Sequence, residues 1–172
     1  MPHRLEPLIR EIRDFPRPGI VFKDITPLLA DRAGLALSVE LMANPFRKSK
    51  IDLVVGAESR GFIFGTAVAQ SLNAGFVPVR KPGKLPSKRS SRTYELEYGQ
   101  DTLEIHIDAI RPDHRVLMVD DLLATGGTMR ACCDLVAGLG AQIVAASFLI
   151  ELAFLNGRDR LAPIDVVSVL RY

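Results

Sequence analysis

Apolar positions along this chain follow two periods in turn, and the change from one to the other lays out its architecture. Leu5, Leu8, Ile9 and Ile12 recur at helical spacing, which predicts a short amphipathic helix at the start. Phe15-Pro16-Arg17-Pro18-Gly19 stops any helix, and Ile20-Val21-Phe22 follows as a short extended piece. Residues 33–43 read as a second helix, ended near Pro45. Strands then alternate with helices. Residues 51–55 are an apolar, β-branched run ending at Gly56, and residues 62–72 read as a helix closed by Asn73-Ala74-Gly75. Phe76-Val77-Pro78-Val79 is the next strand, and its proline assigns it an edge or irregular position. A buried strand at 116–119, a helix at 128–139 and strands at 142–149 and 165–170 complete the pattern.

Apolar strands joined through helices predict an α/β fold, a central mainly parallel sheet flanked by helices. One interruption stands out. Residues 94–98 and 102–108 alternate polar and apolar around Gly99-Gln100-Asp101, which predicts an antiparallel hairpin. Leu103, Ile105 and Ile107 fall on one face of it, and Glu104, His106 and Asp108 on the other. A basic stretch leads into this hairpin, as into a flap over a site. The 172 residues then form a single domain: an N-terminal hood over 1–32, the sheet and helices, and the basic loop and flap over 80–108.

Charge sharpens the picture. Of 22 lysines and arginines, six (Arg80, Lys81, Lys84, Lys88, Arg89 and Arg92) fall within residues 80–92, where there is no acid. The rest of the chain is net acidic, so the excess suits a small polyanion better than a long nucleic-acid duplex. No apolar stretch is long enough to cross a bilayer, and the start lacks a signal peptide's apolar run, so a cytoplasmic location without membrane contact is expected. Cys132 and Cys133 are adjacent in a helical pattern and read as small core residues. His3, His106 and His114 have no partners at telling spacings.

The most informative block is Val116-Leu117-Met118-Val119-Asp120-Asp121-Leu122-Leu123-Ala124-Thr125-Gly126-Gly127-Thr128. It reads as a buried strand, two carboxylates, a turn of small residues and a helix start. Ala124, Thr125, Gly126, Gly127 and Thr128 offer backbone N–H groups where a helix dipole gathers positive charge, a cradle for a phosphate monoester. No lysine follows the glycines as in a Walker loop, and the dinucleotide spacing of glycines is missing. Asp120 and Asp121 accept hydrogen bonds and suit a sugar's vicinal hydroxyls beside the phosphate. As strand neighbours they point in different directions, which disfavours a shared metal clamp. Taken singly, either aspartate reads equally well as a helix cap or a solvated charge. The whole block reads as ribose 5-phosphate recognition.

That block resembles the phosphoribosyl pyrophosphate signature of the type I phosphoribosyltransferases, in the form carried by the branch that acts on adenine. The resemblance runs from about Leu5 to Tyr172. It includes Phe15-Pro16-x-Pro18-Gly19, Val21-Phe22-Lys23-Asp24-Ile25-Thr26-Pro27, Glu58-Ser59-Arg60-Gly61-Phe62, Arg80-Lys81-x-Gly83-Lys84-Leu85-Pro86 and Tyr94-Glu95-Leu96-Glu97-Tyr98-Gly99.

The resemblance implies transfer of a phosphoribosyl group from phosphoribosyl pyrophosphate to adenine, giving AMP and pyrophosphate, in purine salvage by a homodimer. Mg²⁺ would arrive on the substrate pyrophosphate, with no direct protein ligand. Glu58, Ser59 and Arg60 would form a pyrophosphate loop with a cis peptide between Glu58 and Ser59. Arg80, Lys81 and Lys84 would meet the pyrophosphate, Arg80 from across a dimer interface. Val21 and Phe22 would hold adenine through backbone groups and a stacking ring, and Tyr98 would belong to the substrate site. Glu97, on the flap, would handle the proton at adenine N7. Residues 87–92 are more basic than the family pattern leads one to expect. Two other readings stay open: a 6-oxopurine phosphoribosyltransferase with the same sugar site, and a non-catalytic phosphoribosyl pyrophosphate sensor. The segment before the first strand is too short for the winged helix such a sensor would need.

Overall fold

The computed structural model describes residues 4–95 and 99–172. Leu5 and Ile9 face the core, as their spacing suggests, but no α-helix carries them. They flank a 3-10 turn at Glu6–Leu8, after which the chain extends as β1 (Arg10–Arg13). The opening helix is therefore corrected. β1 pairs antiparallel with β2 (Val21–Asp24), Ile12 opposite Phe22 and Glu11 opposite Lys23, so the ladder claims Ile12, the last residue of the helical spacing. Two short elements had left no apolar period: α1 (Thr26–Ala30) and, late in the chain, the α5 turn described below.

α2 (Arg32–Ala43) begins where Asp31 accepts the Gly34 N–H at 2.6 Å, a side-chain N-cap. Then come β3 (Leu53–Ala57), α3 (Arg60–Leu72), whose end is closed by Asn73 in the left-handed region at φ 55°, and β4 (Gly75–Val79). The flap strands are β5 (Arg89–Glu95) and β6 (Gln100–His106). β7 (Arg115–Leu123), α4 (Gly127–Gly138), β8 (Gln142–Glu151), α5 (Gly157–Leu161) and β9 (Val166–Arg171) complete the chain.

The five-stranded sheet runs β4-β3-β7-β8-β9, and every neighbouring pair in it is parallel. β4, with Pro78, is an edge strand as its proline requires. Alternation along the inner strands divides the core between two faces. Val54, Leu117 and Val119 pack with Met42, Phe64 and Val68 of α2 and α3. Val55, Val116 and Met118 pack with Met129, Cys132, Cys133 and Val136 of α4. Both cysteines are buried, as expected, and burial raises both thiol pKa values, that of Cys133 to about 12.

The hairpin differs from its sequence pattern. β5 starts at Arg89, and Gln100 and Asp101 lie in β6, paired with Glu95 and Tyr94, rather than in the turn. Because most of β5 is exposed, the strand shows no period-2 apolar signal before Tyr94. Leu103 and Ile105 are buried, but Ile107 lies beyond the strand end and is exposed. Glu104, assigned to the polar face, is buried. It accepts from Arg89 Nε at 3.0 Å, Gly83 N–H at 3.2 Å and Ser91 Oγ at 3.3 Å. Its backbone exchanges two hydrogen bonds with Arg80, 2.9 and 2.8 Å, and so joins the flap to the end of β4.

Candidate active site

β3 and β7 are neighbours, so the turns at their carboxyl ends meet, which is where open parallel sheets bind ligands. The cavity there has a volume of about 380 Å³ and is lined by Glu58, Ser59, Arg60 and the run from Asp120 to Met129. The structure thus brings together the two loops that lie some sixty residues apart in the sequence.

The cradle follows from local backbone chemistry. Gly126, at φ 81°, is the N-cap of α4, and its carbonyl accepts the first helical bond, from Arg130 N–H at 2.9 Å. The amides of the first turn have no helical acceptor and lie at the cavity wall. Gly157, unmarked by the sequence analysis, backs this turn. Its carbonyl oxygen would stand 2.6 Å from a Cβ on Gly126, and a Cβ on Gly157 would stand 2.3 Å from the Ala124 oxygen. The pair Asn156-Gly157 is the turn signal that could have revealed it. The Thr128 hydroxyl lies 3.2 Å from the Tyr94 hydroxyl, which ties the flap to the cradle.

Asp120 and Asp121 do face different partners. Asp121 is buried and its Oδ2 lies 3.1 Å from Arg60 Nε. Asp120 Oδ1 accepts the Asp121 N–H at 2.9 Å and lies against Gly61, where a Cβ would come within 2.8 Å of it. Burial, and then the Asp121 charge, raise the Asp120 pKa well above the usual aspartate range. Among the described residues no cluster of three or more His, Cys, Asp or Glu is disposed to hold a metal ion.

On the other loop the Glu58–Ser59 peptide is cis. Ser59 precedes α3 without making a side-chain cap. Glu58 accepts the Lys81 N–H at 2.7 Å and Arg80 Nε at 2.9 Å. Burial opposes its ionisation, but these bonds and the Arg80 charge outweigh it and hold the carboxyl below the ordinary glutamate range. Arg80 is therefore engaged within its own chain, with its guanidinium carbon also 5.8 Å from the Phe62 ring centroid. The basic stretch proves to be largely paired: Lys81 with Asp101, Arg89 with Glu104 and Arg92 with Asp134. Lys84 is exposed, and its charge contributes to the lowered Glu58 pKa.

Val21 and Phe22 lie on β2, with Val21 exposed. The Phe22 ring meets Phe15 edge-on, centroids 5.2 Å apart, and the Arg60 guanidinium carbon sits 5.4 Å from its centroid. Arg60 thus spans from Phe22 to Asp121. Arg60 is what links the hood to the cavity, a relation that sequence spacing does not show. Glu97 and Tyr98 lie outside the described residues.

Residues 25–169 match the family model of the phosphoribosyl transferase domain. The adenine phosphoribosyltransferase of Rhodopirellula baltica is 60% identical over 164 residues, 95% of this chain and 80% of that protein. The chain belongs to the adenine phosphoribosyltransferase family. The crystal structure of the enzyme from Thermoanaerobacter pseudethanolicus matches with a TM-score of 0.97 at 49% identity over the whole of both chains. That of the Saccharomyces cerevisiae enzyme, a complex with an imino-altritol bisphosphate and adenine, matches with a TM-score of 0.93 at 39% identity, covering 98% of each chain. The parallel sheet with its antiparallel flap is the fold of this family.

Proposed function

We propose that the cavity between the β3 and β7 turns binds phosphoribosyl pyrophosphate, and that the chain joins its phosphoribosyl group to adenine. Adenine N9 displaces pyrophosphate at the anomeric carbon, the bond to the leaving oxygen breaks, and AMP and pyrophosphate result, a step of purine salvage. The observation that carries this reading is the meeting of the Ala124–Thr128 amides with the Arg60–Asp121 pair in one cavity. The amides at the α4 N-terminus, with Thr125 and Thr128, take the 5-phosphate. Asp120 and Asp121 take the ribose hydroxyls and place negative charge beside the carbon as it becomes cationic. Ser59, Arg60, Arg80, Lys81 and Lys84 meet the departing pyrophosphate. Mg²⁺ would be held by the pyrophosphate oxygens with no direct protein ligand, and would neutralise part of the leaving group's charge.

Val21 and Phe22 form the base pocket. A backbone C=O accepting from the adenine amine and a backbone N–H donating to the adjacent ring nitrogen reject a 6-oxo purine, in which both groups are reversed. Glu97 takes up the proton that adenine N7 gives off as N9 attacks, and Tyr98 belongs to the same substrate site. A homodimer completes the assembly, with Arg80 released from Glu58 to reach the neighbouring site. No described helix is long and apolar enough to cross a membrane.

The test is AMP formation from phosphoribosyl pyrophosphate and Mg²⁺ with adenine, hypoxanthine, guanine or xanthine as acceptor. Nucleotide from adenine alone is the expected outcome. A faster reaction with a 6-oxo purine would transfer the assignment to that class.

A further inference from the structure

The strand that presents Val21 and Phe22 has a weak footing. β1 and β2 form a two-stranded sheet of their own, separate from the five-stranded sheet. A two-stranded ribbon is marginal in water by itself, so side chains must hold it in place. Ile9 and Ile25, which flank the paired Arg10 and Asp24 at one end of it, are buried in the core and anchor that end alone. Away from that end, alternation along β2 sends Phe22 and Asp24 to one face and Val21 and Lys23 to the other. The first face is fixed by Arg60, 5.4 Å from the Phe22 ring centroid, whose charge also acts on Asp24.

The second face is fixed by a residue no part of the reaction uses. Lys23 Nζ sits 3.7 Å from the centroid of the Tyr172 ring and makes an ion pair with Glu11, its cross-strand partner on β1. The Lys23 side chain is only 9% exposed, so its contact with the ring forms away from bulk water, where it is strongest, while the Glu11 carboxylate is 55% exposed. Tyr172 is firmly placed. Its N–H donates to Glu151 O at 2.9 Å, its carbonyl accepts the Ala153 N–H at 2.8 Å, and it packs against the core layer of α2 and α3.

We infer that Tyr172 and Lys23 form a latch that sets the position of β2 and thereby the affinity of the base pocket for adenine. Both are positioning residues that act through Phe22 and Val21. The inference rests on the assignment of those two residues to the adenine site.

The experiment compares steady-state constants of Tyr172→Leu, Tyr172→Phe, Lys23→Met and the Tyr172→Leu/Lys23→Met pair with the unaltered enzyme, and adds Phe22→Ala. Tyr172→Leu and Lys23→Met are each expected to raise KM for adenine about 3- to 30-fold, the range from a partly exposed to a desolvated cation–π contact. The pair is expected to do no worse than the larger single change, since both remove the same contact. Tyr172→Phe keeps the ring and is expected to behave as the unaltered enzyme. KM for phosphoribosyl pyrophosphate is expected to stay within about twofold throughout, because the cradle lies on α4. Unchanged adenine KM in the Tyr172→Leu and Lys23→Met enzymes, with Phe22→Ala raising it, would overturn the latch alone. An unchanged KM in Phe22→Ala would instead overturn the base-pocket assignment. A parallel rise in both KM values would show a general structural role and also defeat the latch. If Tyr172→Leu does not fold, Lys23→Met and Tyr172→Phe carry the same comparison.

Discussion

Arg60 Nε and Asp121 Oδ2 lie 3.1 Å apart, although one begins the helix after β3 and the other lies near the end of β7. Asp121 is buried, and no other described cation is paired with it, so the two turns depend on each other for charge balance. Arg60→Ala leaves that carboxylate uncompensated. The Arg60 side chain is 41% exposed, so solvent screens part of the loss, and about 1–2 kcal/mol of stability is expected to go. Adding Asp121→Asn should return part of the melting temperature without returning activity. Asp121→Asn alone should fold normally and lose about 10- to 100-fold in kcat, as a charge near the developing cation disappears. Calorimetry together with a turnover assay checks both halves, and wild-type turnover in Asp121→Asn would sink the ribose assignment.

Two site carboxylates should give opposite pH dependences of stability. Asp120 has a raised folded-state pKa, from burial and the Asp121 charge, so the folded chain holds its proton more tightly than the unfolded one. Its contribution is complete below the ordinary aspartate range and is lost as pH rises from there through the folded value. Glu58 has a lowered folded-state pKa, the Lys81 amide and Arg80 outweighing burial. Its contribution is present above the ordinary glutamate range and is lost as pH falls through the folded value. At neutral pH, Asp120→Asn should therefore melt above the unaltered protein and Glu58→Gln below it. Both differences should close on acidification. Melting curves from neutral to acidic pH decide it, and like-signed differences would refute the assignment.

Gly157 gives a test of the cradle from behind. A methyl group there would stand 2.3 Å from the Ala124 oxygen and 3.0 Å from Leu123 Cδ1, and the nearer obstacle is backbone. Overpacking of this kind costs about 1–3 kcal/mol. Gly157→Ala is expected to displace the turn and raise KM for phosphoribosyl pyrophosphate at least about tenfold, with KM for adenine little changed. Equal effects on the two substrates would mean that Gly157 supports the fold in general and not the cradle.

The proton at adenine N7 is assigned to Glu97. Glu97→Gln keeps size and hydrogen-bonding capacity but cannot exchange the proton, so kcat should fall about 10²–10⁴-fold. KM for phosphoribosyl pyrophosphate should barely move. Glu95→Gln, an exposed neighbour at the end of β5, should be nearly silent. The reverse pattern would exchange the two roles, and two silent variants would give the proton to water.

Much of this molecule can be read directly from its sequence, and the exceptions have physical causes. Strands buried on both faces, such as β3, β7 and β8, are continuous apolar runs, so the parallel sheet was evident. The turn proposed as the phosphate cradle is legible because carboxylates, small residues and a helix start are contiguous. β1 was missed because Leu5 and Ile9 imitate helical spacing while flanking one tight turn. β5 is not legible before Tyr94, over five of its seven residues, because an exposed strand of cations and serines leaves no apolar alternation. Glu104 falls on the polar face of the hairpin pattern, and its burial depends on Gly83, Arg89 and Ser91 folding back over it. The Arg60–Asp121, Arg80–Glu58 and Phe22–Arg60 relations join distant segments, and pattern alone cannot reveal such pairings.

The bond between Arg80 and Glu104 has a consequence beyond the flap. The Glu58 N–H donates to Val79 O at 3.0 Å, so Val79 faces β3, and Phe76, Pro78 and Arg80 turn their backbone groups outward. Pro78 has no N–H to offer, and both backbone groups of Arg80 are already bonded to Glu104. Phe76 alone keeps an outward donor along this side of the sheet. An open strand edge is a template on which other chains can add strands and aggregate, and here it is blunted. The flap strand that carries Glu104 thus also shields this edge of the sheet from pairing with other chains.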